Sequence, residues 1–291
     1  MRLLAGSVRI LLTLLVAGFC GVMLVRFAPG FGTDERELNA HLSSDSIAAL
    51  RVGREANVAR IYGRFLAAAV HGDLGVSESL GTPVVGLLAE RFPLTMRSAG
   101  AGLAGAWATA LLLSALAGGL GKRVVDWAGT GLTEVLLATP AGLVALLLFV
   151  FFDGSPLGSG FVPAAGVALV VFPHLYRNQK QLLGQAAGRP HVLSAHARGI
   201  RPWRVFCFEV FPGALPQLLA LAGTSVTLAI GSAIPIETIC DSPGIGQLAW
   251  KAATARDLGL LLPLILMVTG VTLTANFVAD QLLSTRKAAV A

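Results

Sequence analysis

Between its charged residues the chain carries six uncharged, predominantly apolar runs. They extend from Arg9 to Arg26, Arg97 to Lys122, Glu134 to Asp153, Gly154 to Tyr176, Val210 to Ile236 and from about Leu258 to Ala279. A helix needs ~20 mostly apolar residues to cross the hydrocarbon core of a bilayer, so each run predicts one transmembrane helix. The first is slightly short and reaches both interfaces only if Arg9 and Arg26 snorkel to the headgroups. A tight Gly/Ser/Pro turn around Gly154 to Gly160 joins the third run to the fourth, with Pro163 and Pro173 near the ends of the fourth. The pattern predicts an all-α, polytopic membrane protein with six transmembrane helices in a single transmembrane domain over residues 1–291. Its parts are a first span over 8–28, an external loop over 29–93, and a core over 94–291 with the five further spans.

The connections are informative too. Lys and Arg in short connections resist translocation, so their distribution sets orientation. With the N-terminus inside, the inner segments hold Arg2, Arg9, Lys122, Arg123, Arg177, Lys180, Arg189, Arg198, Arg201, Arg204, Arg286 and Lys287, and both termini are cytoplasmic. The long segment from Pro29 to Pro93 then lies outside. Within it, Ile47, Leu50, Val58, Ile61, Phe65 and Leu66 recur at helical spacing and predict a surface helix over Ile47–Val70, packed on the pore mouth. The inner segment from Arg177 to Phe211 is basic and interleaved with Trp203, Phe206, Phe208 and Phe211, a spacing that predicts short amphipathic helices.

Composition agrees with a membrane protein: 55% of the 291 residues are hydrophobic and 13% charged, against ~25% charged in soluble domains. The net charge of +6 sits in connections rather than on one soluble face, which argues against nucleic acid as the partner. Arg2 and Arg9 before an apolar run ending near Cys20 imitate a signal peptide, but bulky Phe19 stands where cleavage needs a small residue; the segment reads as an uncleaved first helix. Cys20, Cys207 and Cys240 are too widely spaced to mark a disulfide framework or zinc site.

Two glycine patterns imitate dinucleotide fingerprints. Gly100 to Gly105 is a formal GxGxxG inside an apolar helix, where small residues serve close helix packing; Gly244 to Ala249 follows Asp241-Ser242-Pro243 and reads as a turn. There is no P-loop, since Gly121-Lys122 precedes Arg123 without an upstream glycine. His191 and His196 lie off one helical face, and no carboxylate or cysteine completes a metal site with them. No Ser/His/Asp set or paired carboxylates support hydrolysis, and the chain reads as non-enzymatic. Asn276 and Asp280, one helical turn apart near the inner end of the sixth span, and Glu237, at the outer end of the fifth, are ionisable or polar groups at membrane depth. They suit capping, hydrogen bonding or an ion path. The basic-aromatic inner segment suits RNA, anionic lipid or a cytoplasmic protein partner by composition alone.

Order along the chain separates these. Ser194-Ala195-His196-Ala197-Arg198-Gly199, followed by Val205, Pro212, Ala214, Leu215 and Pro216, resembles the coupling loop of binding-protein-dependent ABC importer permeases, and that resemblance puts Arg204 and Glu209 in the same loop. Further segments resemble the dipeptide, oligopeptide and nickel type with a long first external loop: Ala28-Pro29-Gly30, Gly72-Asp73-Leu74-Gly75 with Ser77, Pro83-Val84 and Pro93-Leu94-Thr95. Glu237-Thr238, Pro243-Gly244-Ile245-Gly246 with Leu248 and Ala253, Arg256-Asp257, and the pair Asn276 and Asp280 complete the pattern. The resemblance implies a coupling-helix loop over about 177–213, best delimited at 191–216, that docks on cytoplasmic ATPases. It also implies an extracytoplasmic substrate-binding protein seated on the segments holding Gly72, Asp73, Gly75, Ser77, Pro243, Gly244, Gly246, Arg256 and Asp257. A second homologous permease would complete the pore, two ATPase subunits would carry ATP-Mg, and this chain would carry no cofactor or metal of its own. The cargo implied is a peptide, nickel chelate or similar solute.

The chain departs from the family pattern at several points. Glu209 replaces the usual histidine after the coupling turn, His191 replaces the aromatic residue opening the loop, and Pro202 stands where a polar helix-starting residue is common. The C-terminal Asp-Pro-Arg has no counterpart, nor does the Gly-Leu-Asp-x-Pro element around Gly53 to Val58. The alternatives are a secondary transporter using Asp280 or Glu237 as proton carrier, though no inverted repeat is evident, and a non-transporting scaffold binding lipid or RNA.

Overall fold

Without water in the hydrocarbon layer, each backbone N–H and C=O must find its partner within the segment, and helices meet that demand. The computed structural model describes residues 2–27, 58–119, 123–152 and 160–290. Among them the long elements are α1 (Arg2–Phe27), α2 (Val58–Val70), α3 (Val84–Ser114), α4 (Arg123–Ala138), α5 (Ala141–Phe152) and α6 (Phe161–Ala187). There follow α7 (Pro190–Ala197), α8 (Pro202–Val205), α9 (Phe211–Ile239), α10 (Ile245–Thr254) and α11 (Leu258–Val290). π-helical turns extend α3 over Ala115–Gly119 and open α9 over Phe206–Val210. The only strand-like feature among the described residues is one isolated bridge between Val76 and Pro83.

Four helical stretches are long and apolar enough to cross a membrane: Gly6–Phe27, Val84–Ala117, Pro202–Ile239 and Leu258–Leu283. The pair α4 and α5 qualifies together but bends by 103°, which makes five if it counts as one span. This corrects the expectation of one continuous helix between Glu134 and Asp153. Pro140 has no N–H to donate and disfavours helical backbone at Thr139, so the chain breaks there; the carbonyl of Pro140 then accepts the N–H of Val144 (3.2 Å) as α5 begins.

The fourth apolar run forms the first part of α6, which continues past Arg177 into polar sequence as far as Ala187. Its expected turn lies outside the described residues except for Gly160. Pro173, expected near a helix end, is buried inside α6. Of the expected surface helix, Val58–Val70 is α2, whereas Ile47 to Asn57 lie outside the described residues, as do Pro29 and Lys122. Helix α3 starts at Val84, so Pro93 lies within it rather than before it.

The chain forms two compact units, residues 1–90 with 248–271, and residues 91–247 with 272–291. In the first, Val22, Val58, Tyr62 and Leu262 are buried together, with Phe19, Phe65 and Leu66 against them. The Tyr62 hydroxyl donates to the main-chain oxygen of Leu15 (2.9 Å), and its ring meets Phe19 edge-on with centroids 6.1 Å apart. Glycine makes room for this, since a Cβ on Gly18 would come within 2.6 Å of the hydroxyl.

In the second unit α6 and α9 form the centre. Val167, Val171, Phe172, Leu175 and Tyr176 from α6 pack with Ala229, Ala233 and Ile236 from α9, joined by Ala106 and Ala110 of α3 and Ala145 of α5. Lipid gives no hydrophobic drive between helices, so close van der Waals approach must hold them, and small residues permit it. A Cβ on Gly102 would overlap the carbonyl of Ala164 and the side chain of Val167, while Gly100 and Gly105 have nothing within 4 Å. Only the middle glycine of the formal GxGxxG is a packing residue.

Gly102→Val is therefore expected to cost about 1–3 kcal/mol through overpacking, read as a lower midpoint of thermal unfolding in detergent. Gly105→Val serves as the control and should leave the midpoint nearly unchanged; equal losses would contradict the packing assignment.

Candidate functional site

In the first unit a buried carboxylate ties together two segments from opposite ends of the chain. Helix α10 ends at Thr254 and the chain reverses through Arg256, which is left-handed at φ 56°. The N–H of Arg256 donates to the carbonyl of Ala253 (3.2 Å) and that of Asp257 to Ala252 (2.9 Å), the two bonds of a Schellman closure. Asp257 then caps α11 by accepting the N–H of Leu260 at Oδ1 (3.1 Å). Its Oδ2 accepts the Ser77 hydroxyl (2.6 Å), the Ser79 N–H (3.0 Å) and the Ser79 hydroxyl (2.8 Å).

The segment before α3 is shaped to reach it. Asp73 Oδ1 accepts the N–H of Gly75 (2.8 Å), and Gly75 takes φ 80°, which L side chains rarely adopt. The carbonyl of Gly75 in turn accepts the N–H of Val84, where α3 begins (3.0 Å). Ser77 Oγ accepts the N–H of Leu80 (3.1 Å), which leaves its proton for Asp257. Burial raises the proton affinity of Asp257, but the four donated hydrogen bonds outweigh it and hold the carboxyl below its ordinary range. Gly72, Asp73, Gly75 and Arg256 are exposed around this clasp, while Ser77 and Asp257 are buried within it.

In the second unit the carboxylate of Glu237 is 1% exposed at the end of α9. Its Oε2 accepts the N–H of Gly246 (2.7 Å) in the first turn of α10, and Ser98 Oγ lies 3.4 Å from Oε1. A carboxylate at a helix N-terminus is favourable because unpaired N–H groups point at it. Both glycines of Gly244-Ile245-Gly246 belong to this cradle: a Cβ on Gly244 would overlap the carboxylate, and one on Gly246 would lie 2.6 Å from Ile234 Cα. Thr95 Oγ1 accepts the N–H of Ile245 (2.7 Å), and Gln247 Nε2 donates to Asp241 Oδ1 (2.6 Å). Pro243 is exposed, and Gly244 and Gly246 are buried.

The segment from Pro190 to Val205 folds as helix, turn, helix. The N–H of Gly199 donates to His196 O (2.9 Å) and that of Ile200 to Ala195 O (3.4 Å), a second Schellman closure with Gly199 at φ 71°. Val192, Ala195, Val205, Phe206 and Val210 anchor the segment on Leu183 and Ala186 of α6 and Ala214 and Leu218 of α9. Ser194, Ala197, Arg198, Gly199 and Arg204 face outward, Glu209 is half-buried at the π turn, and Pro216 lies partly buried within α9. His191 Nε2 and Glu209 Oε2, two of the departures from the family pattern, stand 3.9 Å apart and pair when the imidazole is protonated. His196 lines a cavity of about 260 Å³ with Ser114, Lys180 and Phe206; Lys180 pairs with Asp126 there and donates to Thr130 Oγ1 (3.1 Å).

Asn276 donates to the carbonyl of Thr272 (3.0 Å) and lies 3.5 Å from Thr227 Oγ1 of α9, opposite Gly223. It is a hydrogen-bonding residue between α9 and α11, and Asp280 one turn on is exposed. Ser79 and Ser98 escaped the sequence reading, and Thr95 entered it only as part of a motif, because their partners lie far along the chain and no spacing announces them.

The family model for the inner membrane component of binding-protein-dependent transport systems matches residues 110–284, more than half of the chain. The chain belongs to this family. A Brucella suis protein provisionally named a peptide transport system permease is 26% identical over 238 residues, 76% of each chain. A second from Brucella suis, provisionally named a peptide permease, is 26% identical over 304 aligned residues, 96% of this chain and 94% of its own. The oligopeptide transport system permease protein OppB of Escherichia coli K12 is 26% identical over 274 residues, 88% of each chain. This member of the permease family is a multi-pass inner-membrane subunit of an ABC-type importer, a transport component rather than an enzyme, that works with a substrate-binding protein and an ATPase.

Asp257→Ala should release the amide of Ser79 to hydrogen exchange and cost about 2–4 kcal/mol, from one helix cap and the charge-assisted bonds. Because the carboxyl titrates below its unfolded value, its stabilisation is present above ~pH 4 and disappears as pH falls through the lower folded value. Wild-type protection of Ser79 should fade only in that acidic window, and unchanged exchange in the variant would refute the clasp.

Proposed function

We propose that the chain is one of two pore-forming permeases of an importer for peptides, with both termini in the cytoplasm and six membrane crossings. The crossings are α1, α3, the bent pair α4 and α5, α6, α9 and α11. The peptide reading is supported by the printed names of the relatives above. A related second permease completes the pore, two ATPases binding ATP-Mg drive it, and a substrate-binding protein delivers cargo from outside. The segments holding Gly72 to Ser77 and Pro243 to Asp257 receive that protein, with Pro243, Asp73 and Arg256 presented at the surface.

The observation that carries the reading is the helix–turn–helix from Pro190 to Val205. Its anchored side is apolar and its outward side shows Ser194, Ala197, Arg198, Gly199 and Arg204. A rigid, basic, small-residue surface at the junction of α6 and α9 suits docking into a cleft of an ATPase, whose closure would then move both helices together. Glu237 is immobilised by the main chain of Gly246 and Asp280 is exposed, an arrangement that supports fixed structural roles over proton carriage.

The test is copurification of tagged protein from its native host with Gly199→Asn and Gly199→Trp alongside wild type. Asn tolerates left-handed backbone whereas a bulky residue costs about 1–2 kcal/mol there, and nothing lies within 4 Å of the position to clash. P-loop ATPases should accompany wild type and the Asn variant and be depleted several-fold with Trp. Absence of ATPases from all three would overturn the proposal.

A further inference from the structure

Helix α4, the first arm of the bent pair, is held mainly by α6 and by the π-helical turn that ends α3. Two residues of α6 one turn apart, Tyr176 and Lys180, make the attachment, and they meet a single turn of α4. The Tyr176 hydroxyl fits where α4 has glycine, since a Cβ on Gly129 would come within 2.6 Å of it. Lys180 pairs with Asp126 and donates to Thr130 Oγ1 (3.1 Å). The Asp126 oxygen in that pair is shielded from water, although the two side chains are 40% and 42% exposed. A half-exposed ion pair contributes little to stability; what this one fixes is the register of α4 on α6.

The space around Lys180 makes that register matter. Lys180 lines two cavities, one of about 260 Å³ that it shares with Asp126, His196 and Phe206, and one of about 360 Å³ with Thr133 of α4 and Gln181 of α6. Helices in lipid are held by close packing, and here packing is interrupted between α4 and α6 and between α4 and the segment from Pro190 onward. That segment is anchored on α6 through Leu183 and Ala186. A displacement of it therefore moves α6 first and reaches α4 through Tyr176 and Lys180. At its far end α4 meets α5 at a 103° break, and element ends of this kind absorb hinge rotation.

We infer that Lys180 is a positioning residue for transport: its bonds to Asp126 and Thr130 make α4 follow α6 when the segment from Pro190 to Val205 is displaced, and so carry the movement into the bent pair. The inference rests on the reading of that segment as the surface that meets the ATPase.

The test uses the full importer, purified with its copurifying partners, with Cys20, Cys207 and Cys240 replaced by serine. Spin labels are placed at the exposed positions Trp127→Cys in α4 and Gln185→Cys in α6, and their separation is read by electron paramagnetic resonance. In the otherwise wild-type background one distance is expected, the same without nucleotide and after trapping with ATP and vanadate, because α4 and α6 move as one. K180Q should keep that distance without nucleotide and gain a second, longer one on trapping. The reversed pair D126K/K180D should lose the second distance again, and D126N repeats the test where K180Q does not fold. A single unchanged distance in K180Q or, in its place, D126N overturns the inference, as does a wild-type distance that itself moves on trapping. A reversed pair that behaves like K180Q assigns the change to general loosening and overturns it too. Retained ADP, measured separately, keeps the two readings apart: none in wild type sinks the ATPase partnership and the inference with it, whereas trapping without a second distance in K180Q sinks only the role of Lys180.

Discussion

The membrane-crossing helices answer to one constraint: backbone polar groups have no water to bond with in hydrocarbon, and helices themselves gain nothing by leaving lipid for one another. The first half of the constraint makes the spans; the second leaves their association to shape. That is why glycine is placed where it is. Gly18 sits under Tyr62, Gly102 against Ala164, Gly166 against Ile236 and Gly223 against Asn276 and Ala279. At each, the missing Cβ brings two segments to a distance at which dispersion contacts or a hydrogen bond can hold them.

The same constraint explains the two buried carboxylates. Where a span ends, its polar groups must be satisfied before the chain turns, and Asp257 and Glu237 each do so by accepting backbone N–H groups of the helix that follows. Asp257 additionally gathers Ser77 and Ser79. At Asp257 these charge-assisted bonds outweigh burial and hold the carboxyl below its ordinary range. The glycines beside Glu237 are there for the carboxylate, since any side chain at Gly244 would occupy its place.

Much of the fold was legible because its signal is one-dimensional. Uncharged length located α1, α3, α9 and α11, and the basic, aromatic spacing after Arg177 foretold α7 and α8. The misreadings share a cause, which is proline in context. Pro140 broke an apolar run that charge counting read as continuous, whereas Pro173, read as an end, is absorbed within α6 because neighbouring helices can accommodate the lost bond. The candidate sites were legible as motifs and illegible as geometry. Gly72-Asp73-Leu74-Gly75 with Ser77 and Arg256-Asp257 were each singled out, but only folding shows that Ser77 bonds to Asp257 across 180 residues.

The segment from Pro190 to Val210 folds without the residues at which it departs from the family pattern. A turn holds the two short helices α7 and α8 on α6 and α9. That turn depends on left-handed Gly199 and on two backbone bonds, from the N–H of Gly199 to His196 and from that of Ile200 to Ala195. His191 and Glu209 are not part of the closure, so both could change without loosening it, and they now face one another at 3.9 Å. Pro202 likewise opens α8 where a first-turn N–H would have no helical partner, which is a position that proline tolerates. The departures at His191, Pro202 and Glu209 therefore all lie outside the backbone closure at Gly199, which needs none of them.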